Sequence, residues 1–82
     1  MQELTPIFSN QKNFYKKAFI EINGKNKKLY SYNILVAEIR NKKAIVYNLQ
    51  SNSTLRHVKD FLKQFDFLAT TKKQIIKDYF IS

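Results

Sequence analysis

The chain has no cysteine and only one histidine, one glycine and one proline among its 82 residues. Without cysteine there is no disulfide, no thiol nucleophile and no thiolate-bound zinc. His57 alone leaves too few imidazoles for an ordinary transition-metal site. A lone Gly24 excludes a glycine-rich phosphate loop and the glycine-and-aromatic pattern of an RNA-recognition motif. The longest wholly apolar run, Ile34-Leu35-Val36-Ala37, falls far short of the ~20 residues of a membrane span. Met1-Gln2-Glu3-Leu4-Thr5-Pro6 lacks the basic start and apolar stretch of a secretory signal, so the expected location is cytoplasmic, away from membrane. No cofactor is expected.

Acidic residues are also scarce. Six Asp and Glu face 15 Lys and Arg, for a net charge of +9. Self-repulsion of this size opposes compaction and points to an anionic partner: nucleic acid, a nucleoprotein or an acidic protein groove. An A+T-rich genome would also favour Lys, Asn, Ile, Tyr and Phe, and accounts for part of the lysine excess. What is abundant is aromatic: seven Phe and five Tyr supply much buried area to a thin core. The length fits one small domain.

Residues 1–13 are polar, interrupted by Pro6, and read as an N-terminal arm; residues 14–82 read as a single domain. The 14–22 run is aromatic and β-branched, with Ala18, Ile20 and Ile22 on one face. Asn23-Gly24 follows, the strongest short hairpin signal, because both central residues of a type I′ turn need φ > 0. Residues 28–40 alternate imperfectly, Asn41-Lys42-Lys43 is a polar break, and 44–49 is a further strand. Ser53 or Thr54 can cap a helix over 55–65, where Leu55, Val58, Phe61, Leu62 and Phe65 recur at helical spacing. Thr71-Lys72-Lys73-Gln74 matches a capping box for a second helix, with Ile75, Ile76, Tyr79 and Phe80 as its stripe. Residues 66–69 form a connection or a short edge strand. The expected class is α+β: a three-stranded antiparallel meander followed by two helices packed on one sheet face.

The basic residues cluster. Lys25, Lys27 and Lys28 follow one predicted turn; Arg40, Lys42 and Lys43 surround the next. A three-stranded meander puts these turns at opposite ends of its middle strand. On the first helix Arg56, Lys59 and Lys63 fall within about 60° of one another at 100° per residue, with Asp60 and Gln64 turned to the other side. Lys73 and Lys77 repeat the spacing on the second. A basic helix stripe is the footprint of phosphate contacts, although a solvated helix face has the same composition. Tyr30, Tyr32 and Tyr47 could stack on bases if they face solvent, although strand aromatics of small folds are core more often. His57 sits at the edge of the apolar stripe with Asp60 at i+3. No further members of a catalytic set accompany it, so it is expected to pack at the helix–sheet boundary, and no catalytic residue is expected.

Leu29 to Ile39 resembles a strand motif SYxTxVAxI, and Thr54 to Gln64 resembles a following helix motif TxxRHIxxFLxQ. A closing KKQIxKDY segment is matched by Lys72 to Tyr79. Together, over residues 29–80, these resemble a family of small proteins encoded by phages and other mobile elements. The chain departs at Ile34, where the pattern has Thr, and at Asp66, where Gly is usual. The resemblance implies a mobile-element context and, with it, an anti-CRISPR role as an inhibitor of an RNA-guided nuclease.

The sequence therefore points to a non-enzymatic basic binding protein engaging nucleic acid or a nucleoprotein, with an RNA-guided nuclease effector as one candidate partner. The expected contact residues are Arg56, Lys59 and Lys63, supported by Lys25, Lys27, Lys28, Arg40, Lys42 and Lys43. Two alternatives share the pattern: a DNA-binding transcription or replication accessory factor, and a protein–protein module dimerising through a sheet edge. The expected state is monomer or homodimer.

Overall fold

Three two-residue turns decide the architecture. The computed structural model describes residues 1–81. In chain order it holds β1 (Gln2–Glu3), β2 (Ala18–Asn23), β3 (Asn26–Ser31), β4 (Ile34–Arg40), β5 (Lys43–Val46), α1 (Asn52–Gln64) and α2 (Lys72–Tyr79). The five strands form one antiparallel sheet in the order of the chain. The α+β class agrees with expectation, but the sheet has five strands where the sequence predicted three. One addition is β1, which is too short to show alternation. The other arises because residues 28–40 are not one strand.

That run breaks at Tyr32-Asn33, where φ is 53° and 66° and Ser31 pairs with Ile34. This is the type I′ pattern, built here without Gly or Pro. Asn tolerates the left-handed region, but Tyr gives no turn signal, and strand-forming residues flank the pair. Asn41-Lys42 repeats the pattern with φ of 52° and 65° between Arg40 and Lys43. The first hairpin turns on Gly24-Lys25, because Asn23 pairs with Asn26; only Gly24 has positive φ, at 62°. It follows the type II′ pattern, one residue along from the expected Asn23-Gly24 type I′ turn.

The sheet has one covered and one open face. Ile20, Leu29, Ala37 and Val46 are cross-strand neighbours, all buried, and they form the central row of the covered face. On the open face the matching row runs Glu21, Lys28, Glu38, Ile45. An extra residue in β4, Val36, offsets the pairing between Leu29–Ala37 and Tyr30–Leu35, a bulge that adds local twist. Helix α1 lies over β3 and β4 and α2 against β5. Val58, Phe61 and Leu62 on α1 are fully buried, and burial of each contributes about 1.5–3 kcal/mol relative to exposure.

Both helices begin at a polar cap. Ser51 is the N-cap of α1, two or three residues before the expected Ser53 or Thr54, and its hydroxyl accepts the Thr54 N–H at 3.0 Å. Thr71 caps α2 as predicted, accepting the Gln74 N–H at 3.1 Å, while Gln74 reaches back to the N–H of Thr70. Helix α1 ends in a Schellman motif: Phe67 N–H donates to Leu62 and Asp66 N–H to Lys63, with Asp66 at φ 69°. Residues 66–69 are a connection, not a strand.

Residues 1–13 lie against the domain. They contribute β1 and bury Leu4, whose N–H donates to Ala18 at 2.9 Å. At the other edge Phe80 bridges Val46 in parallel, and the Ile81 N–H donates to the Val46 carbonyl at 2.9 Å.

Candidate functional site

Helix α1 runs antiparallel to β3. Near its start Thr54 and His57 meet Ser31 at the end of β3; just beyond its end the Phe65 ring meets Lys27 at the start of β3. The outward side of α1 carries Arg56, Lys59 and Lys63, spread over about 11 Å at 1.5 Å per residue. These three border one small cleft of about 90 Å³ together with Phe8, Ser9 and Asp60. Arg56 continues along Phe8 to Gln11 into a second, polar depression. Phe8 is 54% exposed, and the Lys63 ammonium lies 5.8 Å from its ring centroid.

The segment carrying Phe8 is held by α1 itself. The Asp60 carboxylate, 1% exposed, accepts the backbone N–H of Ile7 at 3.0 Å and of Phe8 at 3.1 Å. Gln64 donates to Asp60 at 2.6 Å and to the Thr5 carbonyl at 2.8 Å. Asp60 therefore borders the basic stripe instead of turning from it, and Asp60 with Gln64 anchors the chain entering the site. Sequence periodicity placed the lysines, but nothing in it pointed to Phe8, which lies fifty-two positions from its anchor.

The second group of basic residues is rearranged by the extra hairpin. With a turn at Tyr32-Asn33, the Gly24-Lys25 and Asn41-Lys42 turns fall at the same end of the sheet, not at opposite ends as a three-stranded meander requires. Lys25, Lys27 and Lys42 share a cavity of about 390 Å³ with Ile39, Gln64, Phe65, Asp66 and Phe67. Lys28 and Arg40 go elsewhere. Lys28 sits on the open face between Glu21 and Glu38, and Arg40 pairs with Glu38 at 2.7 Å with Lys43 as its cross-strand neighbour. That is the sole ion pair among the described residues. Glu38 is buried, and the Tyr47 hydroxyl donates to it; that bond first, then Arg40, holds its carboxyl below the usual range against the cost of burial. The same bond pushes the Tyr47 hydroxyl up.

The tyrosines are not gathered into one platform. Tyr30 and Tyr47 are half-buried, and Tyr32 occupies a turn with its ring 5.9 Å from His57. His57 is buried against Phe14, at 4.5 Å between ring centroids, and its Nδ1 lies 2.8 Å from Ser31 Oγ. Hydroxyls continue from Ser31 to Thr54 and from Thr54 to Ser51. With Ser51 donating to Thr54, the chain runs on through Ser31 to a neutral imidazole that accepts at Nδ1. Burial, then the Arg56 charge, lowers the His57 pKa to about 4, which keeps it neutral. Ser31 is 1% exposed, so this Ser–His pair offers no open path to a substrate.

Among the described residues no helix is long and apolar enough to cross a membrane. No curated protein and no solved structure matches the chain. One family profile does, over residues 2–79: the chain belongs to DUF8033, a family of unknown function.

Proposed function

We propose that this is a non-enzymatic basic binding protein that holds nucleic acid, free or within a nucleoprotein, against the outward side of α1. The observation that carries the reading is the cleft where Arg56, Lys59 and Lys63 border the exposed ring of Phe8. Ammonium and guanidinium groups neutralise phosphates, and an exposed ring beside them offers a face on which an unpaired base stacks. Among the described residues none of the three cations forms an ion pair with an acidic side chain, and the carboxylate that borders their cleft, Asp60, is occupied by backbone N–H groups. The mixture of phosphate contacts and a single stacking ring favours single-stranded over duplex nucleic acid.

Two other readings of the sequence fit less well. A helix-turn-helix needs two helices joined by a compact turn, whereas residues 65–71 separate α1 from α2, which lies against β5. Dimerisation through a sheet edge meets a two-residue β1 at one side and a β5 partly paired by Phe80 and Ile81 at the other. The resemblance of residues 29–80 to mobile-element proteins extends the proposal to an anti-CRISPR role, in which the site covers guide or target strand of an RNA-guided nuclease.

Fluorescence anisotropy with single- and double-stranded RNA and DNA tests the reading. Wild type binds single strands more tightly, and the combined Arg56→Ala, Lys59→Ala, Lys63→Ala protein loses most of that affinity. Equal binding by both proteins overturns it.

A further inference from the structure

The cavity at the turn end of the sheet has a different character from the α1 cleft. Its volume of about 390 Å³ falls in the range of small-molecule sites, and besides the Gln64 amide its lining divides into three chemistries. Lys25, Lys27 and Lys42 supply positive charge from two adjacent turns and the start of β3. Ile39, Phe65 and Phe67 supply an apolar floor. Asp66 supplies the single carboxylate.

Several of these groups are held in place. The Lys27 ammonium lies over the Phe65 ring, 5.0 Å from its centroid, and donates to the Lys25 carbonyl at 3.4 Å. Phe65 is braced edge-on by Phe61 at 5.5 Å, and Phe67 edge-on by Tyr79 at 6.0 Å. Asp66 is fixed in the left-handed conformation by the Schellman bonds that end α1. Lys42 stands in a turn set by two positive φ angles.

We infer that this cavity binds one nucleoside monophosphate unit: phosphate on Lys25, Lys27 and Lys42, base against the Phe65–Phe67 floor, and Asp66 accepting from a ribose hydroxyl or a base N–H. An inorganic anion would use the lysines and leave the floor unmatched. A neutral apolar ligand would leave the three ammonium charges uncompensated. A nucleotide satisfies both halves and gives the carboxylate a donor to accept from. The unit is either a free mononucleotide or the end of a strand. The site adds to the nucleic-acid reading without resting on the α1 cleft.

The test is an amide-resolved NMR titration with AMP, with a 5′-phosphorylated triribonucleotide, and with inorganic phosphate and adenosine as separate controls. The expected result is saturable shifts at Lys25, Lys27, Lys42 and residues 65–67 with AMP or the trinucleotide, and at least tenfold weaker binding of either control. Trinucleotide binding tenfold tighter than AMP assigns a strand end; equal affinity assigns the free nucleotide. Lys25→Ala combined with Lys42→Gly, both at exposed turn positions, weakens the complex at least tenfold, and Lys27→Met does the same. The Arg56→Ala, Lys59→Ala, Lys63→Ala protein retains it, which separates failure of the α1 reading from failure of this one. Absence of saturable shifts with both nucleotides, or shifts that phosphate alone reproduces at equal affinity, overturns the inference.

Discussion

Asp60 on α1 accepts the backbone N–H of Ile7 at 3.0 Å across fifty-three positions of sequence, and the same carboxylate takes the N–H of Phe8. This buried carboxylate joins the N-terminal segment to the helix and sets the exposed ring of Phe8 beside the basic stripe. Hydrogen bonds to a charged group are the stronger kind, and Asp60→Ala removes three, counting that from Gln64. The freed N–H groups lie near solvent and recover part of the loss. Asp60→Ala is expected to lower stability by about 2–3 kcal/mol in urea unfolding, and Asp60→Asn by roughly half as much, since the amide keeps one acceptor oxygen.

The His57 imidazole links acidity to stability. Its pKa is lowered from 6.5 to about 4 in the fold. Below pH 6.5 the unfolded chain takes up a proton that the folded chain refuses until about pH 4. Stability is therefore fully present above pH 6.5, falls as pH drops through that window, and levels off with respect to this group below it. At about 1.36 kcal/mol per pH unit, the loss is about 3 kcal/mol. Urea unfolding between pH 7 and pH 4 should show this slope, and His57→Gln, whose amide oxygen can accept from Ser31, should flatten it.

Lys42 carries a φ of 65° in a turn whose first central residue is Asn41. A side chain in the left-handed region costs about 1–2 kcal/mol, and glycine returns about 0.5–1 kcal/mol of that as added freedom of the unfolded chain. Lys42→Gly should then raise stability by about 0.5–1 kcal/mol, read as a higher urea midpoint at unchanged m-value. A drop in stability would show that the Lys42 side chain contributes more to the fold than its strained backbone costs.

What the sequence revealed depended on how far each signal reaches along the chain. Both helices were legible because Val58, Phe61 and Leu62 recur at the helical period and Thr71 with Gln74 forms a local cap. The Asn23-Gly24 region was legible as a hairpin because Gly24 can take positive φ without cost, although the turn sits one residue further on. Tyr32-Asn33 was not legible: the chain reverses there on a tyrosine between two strand-forming runs. That hidden turn carries the largest consequence, since it moves Lys42 from the far end of the sheet to the side of Lys25. The place of Phe8 was equally hidden, because it depends on a side chain–backbone bond to Asp60 that no local pattern encodes. Arg56, Lys59 and Lys63 needed only helical geometry.

Salt dependence of binding tests the central claim most directly. Each phosphate neutralised adds about 0.7 to the slope of log affinity against log salt for single strands, and about 0.9 for duplex DNA. Anisotropy titrations of a single-stranded oligonucleotide across salt should give a slope shallower by about 2 in the Arg56→Ala, Lys59→Ala, Lys63→Ala protein than in wild type. Phe8→Ala should weaken binding with the slope unchanged, because the ring carries no charge. A triple variant that keeps the wild-type slope would contradict the account, since phosphates would then lie on some other surface of the protein.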